Sequence, residues 1–414
     1  MSSLKYWLWL STLRGVGSAM KLRILDHFGT PENAYYADDG EYRLIPDISE
    51  AALGALGDKA LDNADRILGE CERTGQRIVT LQDAEYPDRL KNIYDPPCVL
   101  YTKGKVFAFD EEVAVAVVGT RECTPYGLST AERLARQLAR SGALIVSGMA
   151  LGADTAAHKG ALRAGAPTAA VLGCGLDIVY PRENRFLYED ISVRGGLLSE
   201  YPPGTPALRS NFPARNRIIS GLCLGTVIVE APERSGALIT ARTALEQGRD
   251  VFAVPGNVDA PKSAGTNRLI QEGAILVTGA WDVLREYVAL YPHKITECPD
   301  QELFGPGYGG RRYREEADLK VASPAVRLET GEKKEVDKED ASDYIDLKTE
   351  GIFTQDQREI LLSLSQGPKQ VDMIIEETQI PAPRALSALT LLEVRGTVRQ
   401  HKGKRFEATA PVRY

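Results

Sequence analysis

The sequence is poor in the residues that usually announce catalysis, metal binding or secretion. Its four histidines lie far apart, which gives a histidine-rich metal site no support. Six cysteines, at positions 71, 98, 123, 174, 223 and 298, include no CxxC pair, so neither a zinc site nor a disulfide framework is indicated, and a reducing cytoplasm is the expected home. There is no Walker A run and no GxSxG nucleophile elbow. Long hydrophobic runs are missing too: Gly, Arg or Asp breaks each one before membrane-spanning length. The apolar "YWLWL" near the start is too short for a signal-peptide core and lacks a small-residue cleavage site. Positive charge is in deficit, with a net charge of −7. Any nucleic-acid role must therefore rest on a local patch.

What is present is ordinary globular material: 43% hydrophobic and 26% charged residues over 414 positions, enough for two to four domains. Residues 1–75 read as helical, and "RGVGSAMKL" and "IPDISEAAL" suggest two helix-hairpin-helix units. Such hairpins can offer backbone N–H groups to a phosphate. A plain helical packing domain fits equally well, because the second hairpin carries Asp47 and Glu50 and no cation. Residues 76–298 form the next region. Within it, "VAVAVVG", "ALIVSG", "TAAVLG", "GLLSEY", "TVIVEA", "DVFAVP" and "AILVTG" are apolar at successive positions, as strands buried on both faces are. Amphipathic stretches between them complete the signature of an α/β, parallel-sheet core. Thr124-Pro125 opens one helix that Gly142 closes, and Asp154 is placed to cap the next. Residues 299–352 are rich in Gly and charge, "GEKKEVDKEDASDYIDLKTE" holding eight acidic against four basic residues, and read as a flexible linker. Residues 353–414 order three short helices before a basic hairpin, "TVRQHKGKRFEAT", which fits a winged helix. Its recognition helix holds only Arg384 and Arg395, so protein docking is no less expected than DNA reading.

In open parallel sheets, ligands bind beyond the carboxyl ends of the strands. Four loops there carry the chemistry. In "VVGTRECTPYG", Gly119 permits a sharp turn, Thr120 presents a hydroxyl, and Arg121 presents a fork of donors just before a helix. "SGMALGADTAAH", from Gly148 to His158, lets backbone approach a ligand closely. "LGCGLDIVYPREN" is the third. The fourth, "SNFPARNRIISG", gathers Asn211, Phe212, Arg215, Asn216 and Arg217 with no acidic residue among them, followed by "EAPERSGALITA" and "VPGNVDAPKSAGTNRLI". With a helix starting at Pro213, Arg215 and Arg217 lie about 200° apart, so one faces the ligand edge and the other anchors the helix to Glu200 or Glu230. Arg209, Asn211 and Phe212 then sit on the preceding loop. An aromatic among cations suits a single-stranded polynucleotide, whose bases stack on the ring while the cations take phosphates. A mononucleotide site could use the same groups.

Bland readings compete with each of these. Arg121 could pair with Glu122 or Asp154, and "GMALGAD" lacks the dinucleotide fingerprint. His158 as a base, or Glu230 and Glu233 as acid–base carboxylates, lack any partner at a defined spacing. No catalytic residue, metal or cofactor is indicated.

"VAVVGTRECTPYG", "VSGMALGADTAAHKGAL", "VLGCGLDIVYPREN", "GGLLSEYPPGTPALRSNFPARNRIISGL" and "APERSGALITARTALEQGRDVFAVPGNVDAPKSAGTNRLIQEGA" together closely resemble the DNA-processing (DprA, or Smf) family, with "EYPDRLKNIYDPPCVLYTKG" similar to that family's lead-in. The resemblance is strong over about residues 77–287 and extends in architecture to both ends. It implies an extended Rossmann-like core, a helix-hairpin-helix or SAM-like N-terminal domain and a C-terminal winged helix. It also implies a cytoplasmic homodimer of natural transformation that binds and protects incoming single-stranded DNA and helps load the RecA recombinase. The family's G-S/T-R loop falls on Gly119, Thr120 and Arg121. Its basic residue before the F-x-x-R-N-R run falls on Arg209, and the run itself on Phe212, Arg215, Asn216 and Arg217. Thr120 stands for a serine and Arg209 for a lysine, both conserving the relevant group. The rival from another class is a phosphoribohydrolase-like nucleotide enzyme on a related core. Its PGGxGTxxE stretch has no counterpart here, since the matching segment reads "EAPERSGALITA". A scaffold with a vestigial pocket is the third possibility.

Overall fold

A computed structural model describes residues 2–296, 345–346, 353–365, 367–394, 397–401, 405–409 and 412–413. The chain divides into two compact units, Met1–Arg312 and Tyr313–Tyr414. The linker expected at 299–352 lies outside the described residues, apart from Ile345–Asp346, which pairs in parallel with Val412–Arg413.

The first unit is built on nine strands: β1 (Arg77–Thr80), β2 (Val99–Gly104), β3 (Val113–Val118), β4 (Ala143–Ser147), β5 (Thr168–Leu172), β6 (Gly196–Ser199), β7 (Gly225–Ile228), β8 (Asp250–Ala253) and β9 (Ile275–Leu276). Their order is β1-β2-β6-β5-β4-β3-β7-β8-β9. From β6 to β9 every pairing is parallel, while β1–β2 and β2–β6 are antiparallel. All seven strands expected between 113 and 279 are present. The antiparallel pair β1–β2 extends the sheet beyond the expected set.

Alternation along β3 explains the layers. Val113, Val115 and Val117 point to one face, where they meet Ala131, Leu134 and Leu138 of the helix Pro125–Arg140. Ala114, Ala116 and Val118 point to the other, against Ile218 and Ile219 of the helix Asn211–Gly221 and Ala237 and Ala241 of the helix Gly236–Glu246. The small alanines on the second face let those helices approach closely. Thr124 caps the first helix as expected, accepting from Gly127 N with Pro125 at the first position. Asp154 lies instead in the first turn of Ala153–Arg163, with Gly152 at the cap.

The N-terminal helices, including Ser2–Thr12, Ser18–Phe28, Glu50–Gly57 and Asp62–Thr74, enclose Leu8, Leu10, Ile24, Leu56 and Ile67. That core continues onto Val99 and Tyr101 of β2. In the second unit, helices Gln355–Leu364, Val371–Thr378 and Ala382–Val394 pack with a small sheet formed by Lys369–Gln370, Arg405–Ala408 and Val398–His401. This is the winged-helix order read from the sequence. Arg384 is held by Asp356 through two hydrogen bonds of 2.8 and 3.0 Å, and Arg395 lies outside the described residues.

Candidate functional site

The sheet reverses its winding between β3 and β7. From β3 the chain crosses one face through Pro125–Arg140 to β4, and from β7 it crosses the other through Gly236–Glu246 to β8. The loops leaving these two neighbouring strands therefore part, and a crevice opens at their carboxyl ends. Its volume is about 540 Å³, and its lining includes Thr120, Arg121, Arg209, Phe212, Asn216 and Arg234.

Phe212 is the centre of the crevice's aromatic floor. Half-buried, it lies in the first turn of Asn211–Gly221, a helix that begins two residues before the expected Pro213. The Arg121 guanidinium stands 5.0 Å from its ring centroid, and Tyr180 lies beside it at 5.5 Å with the planes tilted 36°. Tyr180 belongs to the loop after β5 and is 42% exposed. A smaller recess of about 90 Å³ between these rings is lined also by Gly148 and Gly173.

Three exposed arginines surround this floor: Arg121 from the β3 loop, Arg209 just before the Phe212 helix, and Arg234 from the β7 loop. Among the described residues none of the three has a carboxylate within ion-pair distance. Glu122 lines the crevice next to Arg121, but Lys262 engages its carboxylate at 2.9 Å and holds it below the usual carboxylate range. Thr120 is buried, its hydroxyl accepting from Glu122 N at 3.3 Å.

The remaining residues of the stretch are tied into the fold by hydrogen bonds. Arg215 is buried, donating to the Gly148 carbonyl at 2.6 Å and to the Val171 carbonyl, with Nε on Asn216 Oδ1 at 3.2 Å. It thus ties off the ends of β4 and β5 beneath Phe212, whose centroid is 5.9 Å away. Arg217 is buried on the opposite side of the helix, donating to Glu200 at 2.8 and 2.9 Å, Asp95 at 2.8 Å and Ser18 at 3.2 Å. Arg217 thus anchors the helix to Glu200, as expected, while Arg215 lines the crevice at the carboxyl ends of β4 and β5 with Nε and Nη1 already engaged by the protein. The two side chains leave the helix on opposite sides, one toward the crevice and one toward Glu200 and Asp95. Asn211 is likewise turned inward, donating to the Gly173 carbonyl at 3.0 Å, and belongs to the helix rather than a loop.

The two glycines of the site are small for packing reasons. A Cβ on Gly148 would lie 2.5 Å from Arg215 Nη2, so the missing side chain makes room for the arginine. Gly119 does not occupy the left-handed region: a Cβ there would meet the Ala153 Cβ at 2.7 Å.

Of the candidate acid–base groups, Glu233 is exposed and does not line the crevice, while Glu230 and His158 are committed elsewhere. Glu230 is buried and accepts from Thr124 N at 2.9 Å and Thr124 Oγ1 at 2.5 Å, reinforcing a helix cap. His158 is fully buried with Nδ1 at 2.8 Å from Thr168 Oγ1, and burial pushes its pKa down to about 3. Burial also raises the Asp154 carboxyl, while nearby Arg215 favours its charged form. Among the described residues no group of three His, Cys, Asp or Glu side chains is placed to hold a metal, and no helix is long and apolar enough to cross a membrane.

Sequence reading missed Tyr180, Arg234 and Lys262. Each sits in a loop already singled out as following a strand, so the position was legible. Their convergence on one crevice was not, because it depends on which strands are neighbours.

Comparison with known proteins agrees with this architecture. The model of a family described as DNA recombination-mediator protein A matches residues 77–288, and that of a DprA winged helix domain matches 349–404. Protein Smf of Synechocystis sp. is 32% identical over 407 residues, covering 97% of this chain and 98% of its own. DNA processing protein DprA of Streptococcus pneumoniae is 48% identical over 208 residues, covering 50% of this chain and 73% of its own. The X-ray structure of DNA processing protein A from S. pneumoniae superposes with a TM-score of 0.61 at 37% identity, covering 68% of this chain and 97% of that one.

Proposed function

The chain belongs to the DNA recombination-mediator protein A (DprA, Smf) family, and from that premise we propose that its switch-point crevice binds single-stranded DNA without cutting or modifying it. The observation that carries this reading is the set of three exposed arginines, without carboxylate partners among the described residues, around a half-buried phenylalanine. Unpaired guanidinium groups are a standing attraction for phosphate, and an accessible ring takes the face of any base. A duplex keeps its bases stacked on each other and has no free base face to offer Phe212. The protein therefore prefers unpaired strands, shows little base preference, and loses affinity with salt at a slope of about −0.7 per phosphate neutralised.

We further propose that Arg121, Arg209 and Phe212 touch the DNA directly. Thr120 and Asn216 hold the rim, and Gly119, Gly148, Asn211, Arg215 and Arg217 hold the scaffold in shape. From family membership we also propose a cytoplasmic, homodimeric protein of DNA uptake that protects the incoming strand and helps load the RecA recombinase onto it. Acceleration of RecA filament growth on strands coated with a single-strand-binding protein is the corresponding measurement; no acceleration at saturating protein removes the mediator role.

Fluorescence anisotropy with labelled oligo-dT and a matched duplex, over a salt series, tests the binding reading. Equal affinity for the two removes it. The rival, a phosphoribohydrolase-like enzyme, needs a base or acid free to act, whereas Glu230 and His158 are occupied in helix capping and core packing. Release of free base from nucleoside monophosphates by the wild type, lost in Glu230→Ala, establishes the enzyme instead.

A further inference from the structure

Arg234 stands on the side of the crevice opposite the GTR loop, in the turn between β7 and the helix Gly236–Glu246. It is exposed and, among the described residues, has no carboxylate partner. Strand order gives its position meaning. Tyr180 rises from the loop after β5, Arg121 from the loop after β3, and Arg234 from the loop after β7; along the sheet these strands run β5-β4-β3-β7. Three interstrand steps of about 4.8 Å separate the first loop from the last, a span of roughly 14 Å across the carboxyl edge. That exceeds the reach of one nucleotide and suits a short run of them.

Resting on the single-stranded DNA reading, we propose that the strand crosses the carboxyl edge at right angles to the β-strands, from the Tyr180–Phe212 ledge to Arg234, and that Arg234 binds a backbone phosphate separate from the one at Arg121. The ledge supplies stacking surface at one end: two rings 5.5 Å apart, with Arg121 over the second. Arg234 supplies charge at the other end, across the switch point. Lys262 contributes indirectly, by neutralising the Glu122 carboxylate that would otherwise repel the strand midway.

The test compares wild type, Arg121→Ala, Arg234→Ala and Arg234→Lys for binding to a twenty-residue oligo-dT over a salt series, with the thymidine dinucleotide as competitor. Arg234→Ala is expected to weaken oligo-dT binding roughly tenfold, the scale of one lost charge-assisted hydrogen bond. It is also expected to reduce the salt slope by about 0.7, one phosphate fewer. Arg234→Lys keeps the slope, and dinucleotide competition is the same in wild type and Arg234→Ala. Unchanged affinity and slope in Arg234→Ala, beside a clear loss in Arg121→Ala, make Arg234 a solvated surface residue and overturn the proposal while sparing the binding reading. Equal loss of dinucleotide and oligo-dT binding in Arg234→Ala also overturns it, since the arginine then belongs to one compact phosphate site. Failure of the wild type to bind oligo-dT removes the binding reading itself.

Discussion

Replacing Arg217 with alanine separates a structural arginine from a binding one within a single sequence stretch. In the folded protein its side chain is 8% exposed and neutralises two carboxylates, Glu200 at 21% and Asp95 at 35% exposure. Removing one member of a buried ion pair costs about 3–5 kcal/mol, because the remaining charge stays desolvated without a partner. Here both carboxylates retain some access to water, which sets the expected cost near the low end, about 3 kcal/mol. In a unit of this size each kcal/mol lowers the melting temperature by about 2 °C, so Arg217→Ala should melt roughly 6 °C below wild type. The bond to Ser18 ties the same guanidinium to the N-terminal helices, so their amides should also exchange faster. Arg121→Ala should do the reverse. Its guanidinium is exposed and has no hydrogen-bond partner among the described residues, so the melting temperature should move by less than about 1 °C while oligo-dT affinity falls by about 1.5–3 kcal/mol. Calorimetry and anisotropy on both variants read the two effects separately. An Arg217→Ala protein that melts like wild type yet loses DNA affinity refutes the assignment of roles drawn from these contacts.

Phe212→Ala should cost about 1–3 kcal/mol of oligo-dT affinity through lost stacking, with Phe212→Trp retaining it, both measured by anisotropy. Gly148→Ala places a methyl group 2.5 Å from a guanidinium that two carbonyls hold in place, so calorimetry should record a destabilisation of about 1–3 kcal/mol. His158 has a folded pKa depressed from 6.5 to about 3, so its contribution is complete above pH 6.5 and is lost as pH falls from there toward 3. At pH 5 the unfolded chain takes up a proton that the native state refuses, worth about 2 kcal/mol, and His158→Gln should flatten the fall in melting temperature between pH 7 and 5 relative to wild type. An equal fall in both proteins excludes His158 as its source.

The amino-acid sequence by itself determined the parallel core and much of its punctuation. Strands buried on both faces must be apolar at every position, so "VAVAVVG" and its six companions could be read without any knowledge of their partners. Thr124-Pro125 marked a helix start because a cap and its first turn are local. The motifs on the loops after β3, β4, β5 and β7 were legible for the same reason, as was the crevice's place at the strands' carboxyl ends. Tertiary structure decided everything that depends on distant residues. That β1 and β2 extend the sheet is revealed only by the pairing of β1 with β2 and of β2 with β6. Arg215 and Arg217 look equally available in "FPARNR", but their partners are carbonyls at 148 and 171 and carboxylates at 95 and 200. Which exposed arginines of the crevice have no carboxylate partner among the described residues, Arg121, Arg209 and Arg234, follows from where the fold brings carboxylates and where it does not. A guanidinium's role is fixed by what lies within a few ångströms of it, and for this chain those neighbours are set by the order of strands in the sheet.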